Sequence, residues 1–376
     1  RSNGNTQATD INKTATQDLI HASNLHLLFN QFLSVNTQLP NYLKTDIHEK
    51  IMGKQSIQII LFLFITFIFQ NQIHATQVVA FYNCENFYDT TNQMVVNDEA
   101  FLPNSAKGYS ASRYAQKTGQ LSKVLFGLGQ LGTKEGLALL GVAEIENQYV
   151  LEKVIQSNAI KKYQYQYIHF NSKDPRGIDV ALIYQPRFFK PFQYKSYSLK
   201  DANHFQDYAT RDILLVKGQL QAQWVYVLVN HWPSRRGGSN LAKKNRIWAA
   251  TTCKRIMDSI NKVDPKAYWI VMGDFNDNPT NKSLRTLDLD NPFLPLFRQG
   301  QGSLAFRDSW NLFDQILLSH NWKMSNSKLT HYKSIIYKTP DMVENQGKYA
   351  GYPKRTWNGD QFRGGYSDHF PVALIF

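Results

Sequence analysis

Cysteine is scarce in this chain, whose 376 residues include only Cys84 and Cys253. Two cysteines cannot build a disulfide framework, so the fold must be stabilised by a hydrophobic core. One disulfide between them is an alternative, but Cys253 falls on the apolar face of a predicted helix, where free core cysteines are common. The few cysteines and scattered histidines also argue against a closed zinc site.

Phosphate-binding glycine loops are missing too, because neither a GxGxxG nor a Walker pattern occurs. There is no internal repeat and no low-complexity tract. The chain is 43% hydrophobic and 13% aromatic, which is typical of a folded protein with a substantial core and not of a disordered one. The length fits one large domain or two ordinary ones.

Acidic residues are outnumbered, with 29 Asp and Glu against 42 Lys and Arg and a formal net charge of +13. Twelve of these excess positive charges lie after residue 75 and belong to the predicted folded domain. A positive field favours polyanions such as nucleic acid, phosphorylated ligands or an acidic membrane face. General solubility of a basic secreted protein is the alternative, and charge alone does not choose.

A long apolar run occurs at Ile57–Phe69, directly after the basic start Met52-Gly53-Lys54. The run is too short for a comfortable membrane span. Together with the polar segment that ends at Ala75, it is typical of a secretory signal peptide over residues 52–75. An uncleaved anchor helix is the alternative, although no cysteine follows the cleavage point to carry a lipoprotein anchor.

Residues 1–51 carry no catalytic motif and begin at Arg1 instead of methionine. We predict that they are upstream sequence absent from the mature protein, with translation starting at Met52. Residues 76–376 are then a single catalytic domain, secreted or periplasmic, with no stable membrane anchor.

Apolar β-rich runs alternate with helical patterns along this domain. Helices are predicted over Arg113–Gly129 and from Ser239, as the N-cap, through Ile260. The strand patterns are Val78–Tyr82, Leu137–Val142, Tyr163–Phe170, Asp179–Tyr184, Ile213–Gln219, Trp224–Val229, Tyr268–Met272, Phe313–Leu318, a run near Lys333–Tyr337, and Pro371–Phe376. Alternation places Tyr163, Tyr165 and Tyr167 on one face of their strand, as core residues or, alternatively, as a base-stacking platform.

Polar residues follow the apolar parts of these strands. They are Asn83, Glu85, Glu144, His231, Asp274, Asn276, Asp314, Asp368 and His369. Asp274 and Asn276 stand at i and i+2 and can face the same side of the chain. In α/β proteins such strand ends line the cleft above a sheet edge. Neighbouring carboxylates repel one another, and oxygen donors with few histidines suit Mg²⁺, Mn²⁺ or Ca²⁺ better than zinc.

This donor set suits hydrolysis of a phosphodiester, which requires charge neutralisation, an activated water and donors to the phosphoryl oxygens. Glu144 is the leading metal ligand, and Asp274 can hold and deprotonate the water. Asn276 and Asn83 can donate to phosphate oxygens.

Histidines and arginines complete the predicted site. Two pairs, His369 with Asp314 and His231 with a nearby Asp368, can supply a positively charged group. The candidate phosphate-binding arginines are Arg211, Arg235 and Arg236. The last two also fit an ordinary basic loop, and Arg211 also fits a buried ion pair with a cleft carboxylate.

Six ordered segments resemble the endonuclease/exonuclease/phosphatase superfamily, which includes deoxyribonuclease I and the abasic-site endonucleases. They are YNCEN at 82–86, AEIEN at 143–147, NHWPS at 230–234, GDFND at 273–277, FDQIL at 313–317 and SDH at 367–369. The resemblance extends over about residues 77–376. RGIDVAL at 176–182 and HWPSRRGG at 231–238 are similar to a secreted bacterial branch described as endonuclease-like.

The resemblance implies a four-layer αββα sandwich, with two packed mixed β-sheets, outer helices and a Mg²⁺-dependent site at one sheet edge. It implies that Glu144 binds the metal, with Asn83 and Asp368 close to metal or phosphate. It also implies that Asp274 and Asn276 position water and phosphate and that His369 pairs with Asp314. His231 stands where some members carry tyrosine, which implies a general acid or phosphate donor.

We therefore expect a monomeric, secreted, divalent-metal-dependent nuclease that hydrolyses DNA or RNA. The same superfamily also supports a phosphatase or phospholipase acting on inositol phosphates or sphingomyelin-like lipids. A nonenzymatic polyanion-binding module is the third hypothesis, and the complete set of polar residues argues against it.

Overall fold

The computed structural model describes residues 77–199, 209–235, 239–324, 327, 329, 331 and 333–376. Residues Ala75–Phe376 form one compact unit. The predicted upstream segment and signal peptide, residues 1–75, lie outside the described residues. Among the described helices, none combines the length and apolarity that a membrane crossing requires.

Strands make up most of the regular structure within the described residues. In chain order they are β1 Val78–Phe87, β2 Leu139–Ile145, β3 Gln166–His169, β4 Asp179–Tyr184, β5 Phe189–Tyr197, β6 Ile213–Leu220, β7 Gln223–His231, β8 Trp269–Asp274, β9 Leu304–Phe306, β10 Ser309–Asn311, β11 Asp314–Leu318, β12 Lys333–Ile336, β13 Trp357–Asn358, β14 Gln361–Phe362 and β15 Val372–Ile375.

The α-helices of the described ranges are α1 Ala111–Gly129, α2 Gln148–Ile155, α3 Ser239–Asn261, α4 Lys282–Thr286 and α5 Leu294–Arg298. Short 3₁₀ helices span Glu99–Phe101, Lys161–Tyr163, His320–Lys323, Pro340–Met342 and Gly347–Tyr349. The sequence pattern thus placed both long helices within two residues of their observed ends.

Two mixed sheets form the centre of the domain. The first has the strand order β12-β15-β1-β2-β4-β3, and the second has the order β11-β8-β7-β6-β5. Each sheet contains one parallel pair, β1 with β2 in the first and β7 with β8 in the second, and its other pairings are antiparallel. The pair β6–β7, formed by two strands that are consecutive in the chain, is among them.

The period of two along each strand divides its side chains between two apolar layers. In β1, Val79 and Phe81 lie in the core between the sheets, whereas Val78 and Ala80 lie in the core beneath α1 and α2. A third apolar cluster packs α3, through residues such as Cys253, against the outer face of the second sheet. The four layers confirm the predicted αββα sandwich with two mixed sheets and outer helices.

Helix α1 begins after an N-cap residue and has an apolar face that packs against the first sheet. Ser110 is its N-cap, and its side chain accepts a hydrogen bond from the Arg113 amide, which satisfies one amide of the first turn. Leu121, Leu125 and Leu128 recur at helical spacing and are buried against the first sheet.

The predicted strand over Tyr163–Phe170 is too long. A 3₁₀ turn ends at Tyr163, and Gln164 adopts a left-handed conformation with φ 55°, so pairing begins only at Gln166. Tyr163 and Tyr165 are buried in the core beneath α1 and α2. This confirms the core interpretation of these tyrosines over the base-stacking platform.

Both cysteines are buried and free, so the alternative of a disulfide between them is wrong. Cys253 lies on the inner face of α3, as the helical pattern predicts.

Gly141 marks the closest approach of the two sheets. A Cβ atom added there would lie 2.5 Å from Met272 Sδ and 3.0 Å from the ring of Phe81. We predict that Gly141→Val destabilises the domain by about 1–3 kcal/mol, because an added side chain in a packed core forces its neighbours to move. The measurement is the free energy of unfolding in urea.

The matched control is Gly119→Ala on α1, where an added Cβ meets nothing within 4 Å. That change should stabilise the helix by up to about 1 kcal/mol. Equal unfolding midpoints for the two variants would contradict the packing argument.

Candidate active site

The polar site begins where the inward-facing positions of the strands change from apolar to polar. In β1, Phe81 lies in the inter-sheet core and Asn83 is the next residue with the same orientation. In β8, Met272 is followed in the same way by Asp274. The two residues meet across the sheets, and Asn83 Nδ2 donates to Asp274 Oδ2 at 3.0 Å.

Register brings two further polar residues to the same end of the second sheet. His231 ends β7 and is paired with Asp274 in the parallel ladder. Asp314 begins β11 and is paired with Asp274 on the other side. These three side chains therefore converge because their strands are neighbours in one sheet.

Asp274 is buried and has partners from both sheets. Besides the bond from Asn83, its Oδ1 accepts the Asn276 amide at 2.9 Å. The Nε2 atom of His231 lies 3.6 Å from its Oδ2. Burial raises the pKa of Asp274, and the nearby charge of His369 opposes that rise.

His369 and Asp314 form a short buried pair, with Nδ1 and Oδ2 2.6 Å apart. Ser303 Oγ also donates to this oxygen, at 2.5 Å. Burial alone would lower the pKa of His369, but the Asp314 carboxylate more than offsets this and raises it well above its usual value. The pairing predicted from sequence is thus present in the fold.

The surroundings of His231 shift its pKa in the opposite direction from that of His369. Burial lowers its pKa well below the usual value, and the positive charges of Arg211 and Arg176 lower it further. The surroundings of the two histidines therefore act in opposite directions, favouring the protonated form of His369 and the neutral form of His231.

Glu144 provides a carboxylate at the mouth of the site. Its Oε2 accepts the Asn86 amide at 2.8 Å, and its Oε1 lies 3.8 Å from His231 Nε2. Its side chain is 15% exposed, whereas that of Asp274 is 3% exposed. Glu144 is therefore the more accessible of the two carboxylates next to His231.

Four residues of the site have left-handed backbone conformations although none is glycine. Their φ angles are 49° at Glu85, 48° at Asn86, 59° at Glu144 and 50° at Asn276. Such conformations are uncommon outside glycine and persist where the surrounding structure enforces them. Glu85, Asn86 and Glu144 lie at register shifts near the ends of β1 and β2, and Asn276 lies in the turn after β8.

Glu85, the other predicted carboxylate after β1, is buried and points away from Asp274 toward a loop. It accepts the backbone amides of Thr356 and Trp357 at 2.5 and 3.2 Å. Lys117 of α1 is fully buried beside it and donates to Thr356 Oγ1 and to the Tyr366 carbonyl, each at 2.6 Å. The pair fixes the segment that leads to His369, and sequence patterns gave no sign of Lys117.

Asp368 lies at the rim and not beside His231. Arg355 Nη2 donates to its Oδ2 at 3.0 Å, and its Oδ1 is 4.0 Å from His369 Nε2. The predicted pairing of His231 with Asp368 is therefore wrong. The carboxylates next to His231 are Glu144 and Asp274, because β7 lies beside β8 and faces β2 across the core.

Arg211 is buried, and its guanidinium is already engaged. Nη1 contacts Asp174 Oδ2 at 3.0 Å, and Nη2 donates to the Trp232 carbonyl at 2.7 Å. The prediction that Arg211 binds substrate phosphate is thus wrong, and the alternative of a buried ion pair is correct. Asn276 Nδ2 donates to the same carbonyl at 3.0 Å, which fixes its carboxamide.

Arg235 is close to the reacting end of the site and is accessible. Its Nε donates to the Asn276 carbonyl at 2.9 Å, and its Nη2 lies 3.3 Å from Asp277 Oδ1. Its guanidinium carbon is 4.5 Å from the ring centre of Phe313. Arg236 lies outside the described residues.

Two arginines that the sequence did not single out as ligand contacts also lie at the rim. Arg176 has a side chain 43% exposed and contacts Asp174 at 3.2 Å. Arg355 is 50% exposed and contacts Glu85 at 3.7 Å as well as Asp368. Arg176 precedes β4 in a glycine-containing turn, which was the available sequence signal.

The donor chemistry of the site fits a hard divalent cation. Asp274, Asp314 and His369 have potential ligand atoms within 4.8 Å of one another, but Nδ1 of His369 and Oδ2 of Asp314 are engaged in their own ion pair. Glu144, with Asn83 and Asp274, offers oxygen donors of the kind that Mg²⁺, Mn²⁺ and Ca²⁺ prefer. We favour this second set, because Asp314 favours the protonated form of His369, which does not bind a metal.

Solved structures with this fold include three bacterial proteins. One, an endonuclease/exonuclease/phosphatase family protein from Bacteroides thetaiotaomicron, is 17% identical, with 80% of this chain and 97% of that chain covered at a TM-score of 0.52. The mannosyl-6-phosphatase of Bacteroides thetaiotaomicron VPI-5482 is 16% identical, with 80% of this chain and 99% of that chain covered at a TM-score of 0.50. An endonuclease/exonuclease/phosphatase from Bacteroides vulgatus is 11% identical, with 80% of this chain and 98% of that chain covered at a TM-score of 0.50.

These structural similarities, at such low identities, concern the fold alone. No curated protein matches the chain in sequence. The profile of the Endonuclease/Exonuclease/phosphatase family, in contrast, matches residues 78–376, which include every polar residue of the site. The chain therefore belongs to the endonuclease/exonuclease/phosphatase family.

Proposed function

We propose that this protein is a divalent-metal-dependent phosphodiesterase that hydrolyses nucleic acid. The observation that carries the proposal is the arrangement around Asp274, which accepts from Asn83 and contacts His231 beside the His369–Asp314 pair. Such a set can activate water and stabilise charge at phosphorus. A bound divalent cation would supply Lewis-acid stabilisation of the phosphoryl oxygens.

In this proposal Asp274 orients the attacking water and takes its proton. Its raised pKa favours proton uptake, and the bonds from Asn83 and the Asn276 amide hold the carboxylate in one orientation. Glu144 holds the cation, with Asn83 nearby and Asp368 at the rim. The Asn83 side chain donates to Asp274, and the Asn276 side chain donates to the Trp232 carbonyl. Phosphate binding through these two carboxamides is therefore a secondary role.

The two histidines have different roles because their surroundings shift their pKa values in opposite directions. His369, whose protonated form Asp314 favours, stabilises negative charge that develops on the phosphoryl group. The lowered pKa of His231 disfavours the protonated form that a general acid requires. We therefore propose that it donates a hydrogen bond from Nε2 to a phosphate oxygen, which is the second of its two roles expected from sequence.

Nucleic acid is the substrate that the charges favour. The net charge is +13, and three accessible arginines, Arg176, Arg235 and Arg355, surround the site. Arginine is suited to phosphate because its planar guanidinium can donate two parallel hydrogen bonds. We also propose that the enzyme is secreted or periplasmic, on the evidence of the signal-peptide pattern at residues 52–75. We propose separately that it is a monomer.

The first prediction concerns substrate and metal. The protein should cleave DNA or RNA with Mg²⁺, lose activity with chelator and regain it when Mg²⁺ is restored. The assay compares plasmid DNA, RNA, a sugar phosphomonoester and sphingomyelin. A sugar phosphate is included because one structurally similar protein is a mannosyl-6-phosphatase. Nucleic acid left intact while another substrate turns over would contradict the nuclease proposal and favour the phosphatase or phospholipase alternative.

The second prediction concerns the proposed metal ligand. Glu144→Gln removes one negative charge with little change in shape, so kcat should fall at least about a hundredfold. The matched control, Glu152→Gln, lies on the exposed face of α2 and should keep near-normal turnover. Circular dichroism melting would confirm that both variants fold. Near-normal turnover of the Glu144 variant would contradict its assignment.

The third prediction concerns the charge of His369. In the metal-free protein, NMR titration should place the pKa of His369 well above about 6.5 and that of His231 well below it. Asp314→Asn removes the carboxylate that keeps the imidazolium charged, so the pKa of His369 should fall by at least about one unit. A wild-type His369 that is already neutral at pH 7 would refute the proposed cationic role.

A further inference from the structure

A cavity of about 310 Å³ lies next to the candidate active site, between α3 and the start of α4. Four cationic side chains line it, Arg235, Lys243, Arg246 and Lys282, together with one carboxylate, Asp277. This volume lies at the lower end of the range of small-molecule sites. The charged lining groups are positive in excess, which suits an anion.

Asp277 offsets only part of the positive charge of the cavity, and it pairs with the two arginines and not with the lysines. Arg246 Nε lies 2.9 Å from its Oδ2, and Ser283 Oγ donates to the same oxygen at 2.6 Å. Arg235 lies 3.3 Å from its other oxygen. Arg246 is also buried, so this end of the cavity is rigid.

Lys243 and Lys282 are exposed and supply the uncompensated charge. Within the described part of the chain, neither ammonium group has a hydrogen-bond or ion-pair partner. They approach the cavity from different elements, α3 and α4. A lysine ammonium is a point charge that binds phosphate well.

Two residues, Arg235 and Asp277, connect the lining of the cavity to the candidate active site. Arg235 belongs to both, because its Nε donates to the Asn276 carbonyl while its side chain lines the cavity. Asp277 follows Asp274 by three positions, which is at most about 11 Å of extended chain. A nucleic acid strand carries one phosphate for every 3.4 Å or so of duplex axis, so a stretch of this length contains phosphates beyond the scissile one.

We propose that this cavity binds a second phosphate of the substrate, one removed from the phosphate that is hydrolysed. The inference rests on the proposed function and specifies it further, because it makes the enzyme selective for substrates with several phosphates in a row. Lys243 and Lys282 contact that phosphate, and the Arg246–Asp277 pair supports the wall behind it.

The test compares a substrate that has only the scissile phosphate with one that has neighbouring phosphates as well. A dinucleoside monophosphate contains the scissile phosphate alone, whereas a longer oligonucleotide carries neighbouring phosphates. The variants are Lys243→Gln, Lys282→Gln and both together. Lys244→Gln is the matched control, because it removes the same charge from the next position of α3 and does not line the cavity.

We expect the wild-type protein to have a higher kcat/KM for the oligonucleotide than for the dinucleoside monophosphate. The double variant should reduce that ratio about tenfold, mainly through KM, whereas Lys244→Gln should keep it. The slope of log(kcat/KM) against log[salt] should become shallower by about 0.7 for the lost phosphate contact on a single strand. Inorganic phosphate should weaken oligonucleotide cleavage less in the double variant than in the control.

Outcomes for the cavity and for the proposed function can be told apart. A wild-type protein that cleaves both substrates, with a double variant indistinguishable from Lys244→Gln, overturns the cavity proposal and leaves the nuclease intact. A wild-type protein that cleaves neither substrate refutes the proposed function. In that case fluorescence anisotropy of a labelled oligonucleotide without metal still decides the cavity, since equal affinities of double variant and control overturn it.

Discussion

The buried carboxylate of Asp274 is the constraint on which the arrangement of this site depends. A charge removed from water is costly unless hydrogen bonds or opposite charges stabilise it. Its partners come from both sheets, with Asn83 at the end of β1 and His231 at the end of β7. The carboxylate is therefore stabilised only when the sheets are packed, which couples the site to the inter-sheet core.

The backbone around this carboxylate is fixed by the same packing. Glu144 and Asn276 leave their strands in left-handed conformations, each of which is unfavourable by about 1–3 kcal/mol for a non-glycine residue. Hydrogen bonds offset part of this, from the Asn86 amide to Glu144 and from the Asn276 side chain to the Trp232 carbonyl. The irregular backbone at Glu144, within β2, and at Asn276, just after β8, holds these side chains at one end of the sandwich.

Positive charge is organised in two zones on either side of the turn at residues 274–277. One contains His369, whose charge depends on Asp314. The other is the cavity around Asp277, where cations outnumber carboxylates. Arg235 joins them through the Asn276 carbonyl. The same short turn thus contains Asp274, the proposed reacting group, and Asp277, which lines the cavity proposed to bind a second phosphate. The position of the reacting group and the preference for longer substrates therefore depend on the same segment.

The sequence alone predicted the sandwich architecture and the family through six motifs that resemble a known superfamily. It also predicted the candidate polar residues at strand ends, because a strand has a period of two and the inward series that includes Asp274 or Asn83 can be followed along the chain. Only the tertiary structure decided which residues meet: His231 lies beside Glu144 and Asp274, Arg211 is buried against Asp174, and Lys117 fixes the loop before His369. Those contacts join residues far apart in the chain, and the packing and register of two sheets set them, which no local pattern encodes.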